Sequence, residues 1–219
     1  MHLIFYFAII VIFKQIINNI FKNTINKHSL FRSFFCFFIS SLSLCFSIYY
    51  WSNLLSNSLE PTYLSSVINK LMFVYMLVDT FFISIITTDI KELRIELIFH
   101  HVICIGLYGL FYDKAILAFC ALGEILSAFN WIGIIYPQHE WSVKLFRLYS
   151  ILFIRFFVWI FTLVFLHQYL WLFWFGLLGV VIFVCLDCYW ALIILSNYFK
   201  YKKFIGGKII SKTKKIYQK

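Results

Sequence analysis

The feature that most constrains the fold is a series of apolar segments, each about as long as a membrane-spanning helix. They cover approximately residues 3–21, 33–51, 68–88, 95–112, 115–136, 148–166 and 170–197. A helix needs about 20 apolar residues to cross the hydrocarbon core of a bilayer. We therefore expect an all-α, polytopic membrane bundle of about seven transmembrane helices, with a range of six to eight.

The composition agrees with a membrane protein. Hydrophobic residues make up 63% of the chain and charged residues 13%, and the mean hydropathy is +0.90. A soluble domain of this length has too little interior to bury that much apolar surface. The six cysteines lie in apolar segments, so they do not indicate the disulfide framework of a secreted domain.

The distribution of basic residues predicts the orientation. Fifteen of the 19 Lys and Arg lie in the first, third and fifth loops or in the C-terminal tail. Because short loops rich in Lys and Arg stay on the cytosolic side, we expect a cytosolic tail and an N-terminus on the opposite side. This asymmetry accounts for the net charge of +10 without nucleic acid, which we do not expect as a partner.

Ionisable residues inside the apolar segments mark the candidate site. Such groups are costly in a bilayer and usually face a bundle interior or an aqueous cavity. Six of them are predicted to share a band of depth: Asp79, His100, His101, Glu124, Arg155 and Asp187. Glu96 precedes His100 by four residues and therefore shares its helix face. We expect a polar cavity open to the cytosolic leaflet; the alternative is that Arg155 only neutralises an acid to hold the bundle together.

Two adjacent imidazoles beside carboxylates permit two kinds of chemistry. One histidine could accept a proton from an amine or hydroxyl nucleophile while a carboxylate orients its other nitrogen. The same groups could bind a lipid headgroup. A metal has less support, because no set of ligands is spaced for one. A retinal protein is excluded, since no lysine lies between residues 170 and 197 to form the Schiff base.

The order of these motifs resembles the TLC domain family, which includes the ceramide synthases and the translocating-chain-associating membrane protein. The double histidine is followed by LGEILSAFNWIG, whose Glu124 lies 24 residues after His100, and it is preceded by Asp79 in VYMLVDTFF. Glu124, Ser127 and Asn130 form a pattern similar to that of the non-synthase members. Arg155 and the pair Tyr189–Trp190 also fit the family, and the resemblance covers roughly residues 30 to 200.

Hydropathy and charge predict an N-terminal transmembrane helix and basic loop over residues 1–29 and a basic cytosolic tail over 201–219. Between them, the resemblance implies a TLC-like transmembrane domain over 30–200. The resemblance also implies an endoplasmic reticulum or other endomembrane protein that binds lipid, such as a sphingolipid or ceramide, and influences lipid composition, homeostasis or trafficking. No cofactor is expected. The residues expected to line the polar cavity or bind lipid are Asp79, Glu96, Ser127, Asn130, Arg155 and Asp187.

The alternative that the resemblance implies is an N-acyltransferase of the ceramide-synthase type. In those enzymes an Asp-x-x-Asp pair follows the double histidine, and the four residues are linked to acyl transfer from acyl-CoA to a sphingoid base. Here Glu124 and Ser127 stand where that pair is expected. The candidate catalytic residues are His100 or His101 as general base, with Glu124 in place of the aspartate and acyl-CoA as co-substrate.

Overall fold

The structure is a computed structural model that describes residues 2–22, 27–57, 59–83, 95–167 and 169–217. Over these ranges the chain is helical and contains no strand. Six helical segments are long and apolar enough to cross a membrane, and a shorter apolar helix covers Leu97–Leu110. The expected all-α, polytopic membrane bundle is therefore confirmed.

Five helices form the first half of the described chain. They are α1 (His2–Ile20), α2 (Lys27–Tyr49), α3 (Trp51–Asn57), α4 (Tyr63–Phe81) and α5 (Ile95–Leu110). With 16 residues, α5 is about 24 Å long and is the shortest of the predicted spans. It carries both histidines of the double-histidine motif.

The second half contains two interrupted spans and one long helix. The fifth span consists of α6 (Ala115–Cys120), a 3-10 turn (Ala121–Glu124), α7 (Ile125–Ala128) and α8 (Asn130–Ile135). The sixth consists of a 3-10 turn (Pro137–His139), α9 (Glu140–Tyr149), a π turn (Ser150–Arg155) and α10 (Phe156–Leu166). The last helix, α11, covers Leu170–Tyr217.

Several helical segments extend beyond their predicted limits. The second span begins at Lys27 instead of 33. Its first turns are polar, but they are helical like the apolar part that follows. The predicted loop 137–147 is helical, since Pro137 occupies a first helical turn, where its missing N–H costs nothing. The predicted end of the third span, 84–88, lies outside the described residues.

A capping box explains why α4 begins earlier than the hydropathy predicts. The side-chain oxygen of Thr62 accepts a hydrogen bond from the backbone N–H of Ser65, and Ser65 Oγ accepts one from the N–H of Thr62. Reciprocal bonds of this kind satisfy two N–H groups that would otherwise have no partner in the helix. The helix therefore starts at Tyr63, five residues before the apolar run at 68.

Helix α2 lies at the centre of the bundle. It packs against α1 and α4 and along the whole fifth span. Serines on α2 bond to backbone carbonyls of that span: Ser33 Oγ donates to the carbonyl of Ser127 at 2.8 Å, and Ser43 Oγ donates to that of Ala118. In the absence of a hydrophobic force between helices in lipid, such bonds and close packing hold the bundle together.

Candidate functional site

Two irregular helical turns bring Glu124 and Arg155 into the middle of the bundle. Glu124 ends the 3-10 turn of the fifth span, and Arg155 ends the π turn of the sixth. The two turns contact each other, and Arg155 Nε donates a hydrogen bond of 3.1 Å to the carbonyl oxygen of Gly123. Departures from α-helix inside a span are frequent at functional sites.

Arg155 is also paired with Asp187 of α11. The guanidinium Nη1 contacts Asp187 Oδ1, and the indole Nε1 of Trp159 donates to Asp187 Oδ2 at 2.9 Å. Arg155 and Asp187 are 3% and 5% exposed, so the pair is enclosed by protein. The guanidinium further lies 5.7 Å from the ring centroids of Trp159 and Trp190.

His100 faces Glu124. Its Nε2 lies 3.8 Å from Glu124 Oε1 and 3.7 Å from the thiol sulfur of Cys104. The first distance is too long for a hydrogen bond, so the two groups are in electrostatic contact only. Rings of Phe183 and Trp190 on α11 pack edge-on against the imidazole, with centroids 5.4 and 5.7 Å away.

His101 points to a different carboxylate. Its Nε2 lies 3.4 Å from Asp79 Oδ2, and its Nδ1 lies 3.3 Å from the hydroxyl oxygen of Thr80. Asp79 is fully buried and has two further basic neighbours, His28 Nε2 and Arg32 Nε, each 2.9 Å from a carboxylate oxygen. The two adjacent histidines therefore belong to two separate polar groups.

Sequence reasoning missed His28 and Arg32 as partners of the site, because both were assigned to a basic loop. Their spacing contained a usable signal: His28, Arg32 and Cys36 follow one another at intervals of four, which places them on one helix face. Cys36 Sγ lies 3.6 Å from Glu124 Oε2. That face of α2 thus runs from the Asp79 group to Glu124.

A cavity of about 140 Å³ opens from His100, Glu124 and Arg155. It follows α5 from His100 to Phe111, the residue just after the helix ends, and α11 from Leu172 to Phe183, a length of about 16 Å on each side. Its walls between these points are largely apolar, and its far end lies beside Leu59 and Lys114. Arg155 therefore fits both interpretations of the sequence, because it lines the cavity and neutralises an acid.

The other predicted site residues lie away from this cavity. Ser127 is half-buried and contributes its backbone carbonyl, not its hydroxyl, to the contact with Ser33. Asn130 begins α8, and neither residue is among those that line the cavity. Asp79 and His101 are also outside the lining, and the side chain of Glu96 lies outside the described residues.

Within the described residues, no group of three or more His, Cys, Asp or Glu side chains is arranged to hold a metal ion. The cavity offers a ligand His100, Glu124 and Arg155 at one end, Lys114 at the other and largely apolar walls between them. Comparison with models of known protein families, with curated proteins and with solved structures gave no match.

Proposed function

We propose that this chain is a lipid-binding membrane protein of the TLC type that influences the composition, homeostasis or trafficking of membrane lipids. In this proposal one lipid chain occupies the cavity, and the polar group of that lipid contacts His100, Glu124 and Arg155. A single observation supports it most: a largely apolar cavity, lined over about 16 Å of the chain on two helices, ends at a buried set of polar side chains.

The apolar walls explain what kind of molecule fits but not why it would be selected. Lipid tails are as apolar as the cavity, so moving a chain from the bilayer into it changes the free energy little. Selection of one lipid over another therefore depends on the polar end. There the protein is enclosed, and the low local dielectric strengthens each hydrogen bond.

Two groups at the polar end have hydrogen-bonding capacity left over. Nδ1 of His100 is buried and has no hydrogen-bond partner among the described residues. Glu124 contacts His100 and Cys36 at 3.8 and 3.6 Å. A buried group without a full partner costs about 1–3 kcal/mol. A lipid with hydroxyl, amide or amine groups next to its chain would satisfy both side chains and recover that free energy.

The test uses a variant that fills the cavity. A Cβ atom at Gly179 would meet no atom within 4 Å, and Gly179 lines the cavity. Gly106 on α5 has equally open surroundings but does not line it. We would purify wild-type protein, Gly179→Phe and Gly106→Phe in detergent and quantify co-purifying lipids by mass spectrometry. The proposal predicts a bound lipid that Gly179→Phe loses and Gly106→Phe keeps; equal lipid content in all three proteins would contradict it.

The second candidate is N-acyl transfer from acyl-CoA to a sphingoid base. It is favoured by the position of His100 and Glu124, a base and a carboxylate that both line the largely apolar cavity. The amine nitrogen would bond to the thioester carbonyl carbon, and the carbon–sulfur bond would break. The amine proton would pass through His100 to the departing thiolate. Glutamate is one methylene longer than the aspartate of the synthases. A catalytic group misplaced by such a distance would lower the rate of acyl transfer considerably.

Acyl transfer is tested separately, on protein in nanodiscs supplied with acyl-CoA and a long-chain sphingoid base. N-acylated product that disappears in His100→Ala but persists in Gly106→Ala would establish the enzyme. Folded protein that retains lipid but forms no product would leave lipid binding as the function and exclude this reaction.

The proposal also includes the membrane in which the protein resides and its orientation there. We infer an endomembrane location, as in the endoplasmic reticulum, with the C-terminus in the cytosol, because the basic residues favour that side. Protease treatment of sealed microsomes would test it: a tag fused after Lys219 should be digested without detergent. Protection of that tag from the protease would show that the C-terminus lies on the opposite side of the membrane.

A further inference from the structure

Three basic residues lie at a similar depth near the ends of two neighbouring helices. Lys14 is six residues before the end of α1, about 9 Å along the axis, and His28 and Arg32 are in the first turns of α2. Because α1 ends at Ile20 and α2 begins at Lys27, these helix ends lie on the same side of the bundle. We call Lys14, His28 and Arg32 the basic cluster.

Shared neighbours show that the cluster is compact. The ammonium of Lys14 lies over the rings of Phe82 and Phe31. The imidazole of His28 packs against the same two rings, with centroids 5.5 and 6.2 Å away. His28 and Arg32 then meet at the carboxylate of Asp79, each at 2.9 Å.

The charges of the cluster do not cancel. Lys14 and Arg32 are two cations beside a single carboxylate, and the two histidines that contact Asp79 add no negative charge. Lys14 forms no ion pair within the part of the chain that the structure describes. An excess positive charge inside a membrane span is costly unless an anion accompanies it.

Burial indicates from which side that anion comes. Asp79 is fully buried, whereas the side chains of His28 and Arg32 are 20% and 19% exposed. The negative charge is therefore inside and the basic side chains lie nearer the surface, with both ring nitrogens of His28 and Nε of Arg32 buried against the carboxylate. Basic pockets between transmembrane helices are suited to lipid headgroups, and phosphate oxygens accept strong charge-assisted hydrogen bonds from such groups.

We propose that the basic cluster binds the phosphate of an anionic phospholipid from the leaflet that surrounds these helix ends. Lys14 carries the positive charge that Asp79 leaves unbalanced, and Arg32 adds a second cation whose side chain is 19% exposed, while the buried ring nitrogens of His28 face inwards. This site is separate from the cavity beside His100 and does not depend on the proposed function.

The experiment measures thermal unfolding of the protein in phosphatidylcholine nanodiscs that contain increasing fractions of phosphatidic acid. A ligand that binds only the folded state raises the unfolding temperature. The variant is Lys14→Gln and the matched control is Lys70→Gln, because Lys70 also lies near an aromatic ring, 5.8 Å from the centroid of Tyr112, but outside the basic cluster. The unfolding temperature of each protein is compared with that of the same protein in pure phosphatidylcholine. A change in intrinsic stability caused by the substitution therefore does not affect the comparison.

We expect phosphatidic acid to raise the unfolding temperature of the wild-type protein and of Lys70→Gln with the same dependence. For Lys14→Gln, the fraction of phosphatidic acid that produces half of the rise in unfolding temperature should increase about fivefold. One lysine near anionic lipid contributes about that factor to binding. An unchanged dependence for Lys14→Gln, or an equal shift for Lys70→Gln, would overturn the site. If inorganic phosphate stabilised the protein equally in pure phosphatidylcholine, the ligand of the basic cluster would be a free phosphate ion and not a lipid.

Discussion

His100 and His101 are adjacent in the sequence, with ring centroids 5.7 Å apart, yet their imidazoles face different carboxylates. His100 lies beside Glu124 at the end of the cavity, whereas His101 contacts Asp79 in a group that also joins α2 and α4. Successive residues of a helix point about 100° apart, so a double histidine can serve two neighbouring sites.

This division predicts that the two histidines have different effects on substitution. His101→Ala removes one of three basic neighbours of a buried carboxylate, and we expect it to destabilise the protein by about 1.5–3 kcal/mol. His100→Ala should reduce lipid retention with a smaller effect on stability. Unfolding midpoints and co-purified lipid, measured on both variants, check the prediction. Equal loss of stability in both variants, with unchanged lipid content, would show that the two imidazoles are interchangeable packing groups.

The ion pair between Arg155 and Asp187 predicts a strongly non-additive pair of substitutions. Each partner is nearly fully buried, so Arg155→Met or Asp187→Leu alone leaves one charge without its partner. Such a loss typically costs about 3–5 kcal/mol, and replacing both charges by apolar groups restores most of it. A double-mutant cycle of unfolding free energies measures the coupling. Costs that simply add would indicate that Trp159 and the Gly123 carbonyl, and not the ion pair, hold these side chains.

Gly123 is predicted to be sensitive to the smallest substitution. A Cβ atom there would lie 3.3 Å from Arg155 Nε, which donates to the carbonyl of the same glycine. Gly123→Ala should therefore displace the guanidinium and cost about 1 kcal/mol, the value of one hydrogen bond. Gly106→Ala is the control, because open space surrounds Gly106 and alanine favours a helix by up to about 1 kcal/mol. The two variants should shift the unfolding midpoint in opposite directions.

The break in the fifth span predicts a structural role for Ser33. Its hydroxyl accepts a hydrogen bond from the backbone N–H of Trp131 at 2.8 Å and donates to the carbonyl of Ser127, so it satisfies backbone groups freed by the interruption. Ser33→Ala should cost about 1–3 kcal/mol and speed hydrogen exchange at Trp131. Ser41→Ala is a suitable control, since Ser41 is exposed and bonds only to the carbonyl of Phe37 on its own helix. Unchanged exchange in Ser33→Ala would contradict this role.

Much of the fold could be predicted because membrane spans depend on length and apolarity, which are local properties of the sequence. Hydropathy did not predict the start of α2 correctly, because the polar residues there have partners in distant parts of the chain. Arg32 was assigned to a loop because of its charge, but Asp79 neutralises it within the bundle. No local pattern shows such a partner.

Some residues of the candidate site could be predicted from the sequence, but their arrangement could not. Charges inside spans identified His100, Glu124, Arg155 and Asp187. The sequence could not show that the π turn of the sixth span rotates Arg155 towards the Gly123 carbonyl, because one extra residue in a turn leaves no compositional trace. For the same reason it predicted a single polar cavity where the structure has a cavity and a separate buried group.

Helix α11 continues 18 residues beyond Phe199, the end of its apolar part, and this length has an electrostatic consequence. Measured along the axis, those residues extend about 27 Å. In physiological salt the field of a charged surface decays over about 8 Å. A bilayer charge at the level of Phe199 therefore acts only on the first turns of the extension. The end of α11 lies about three decay lengths from that level, beyond the reach of the field.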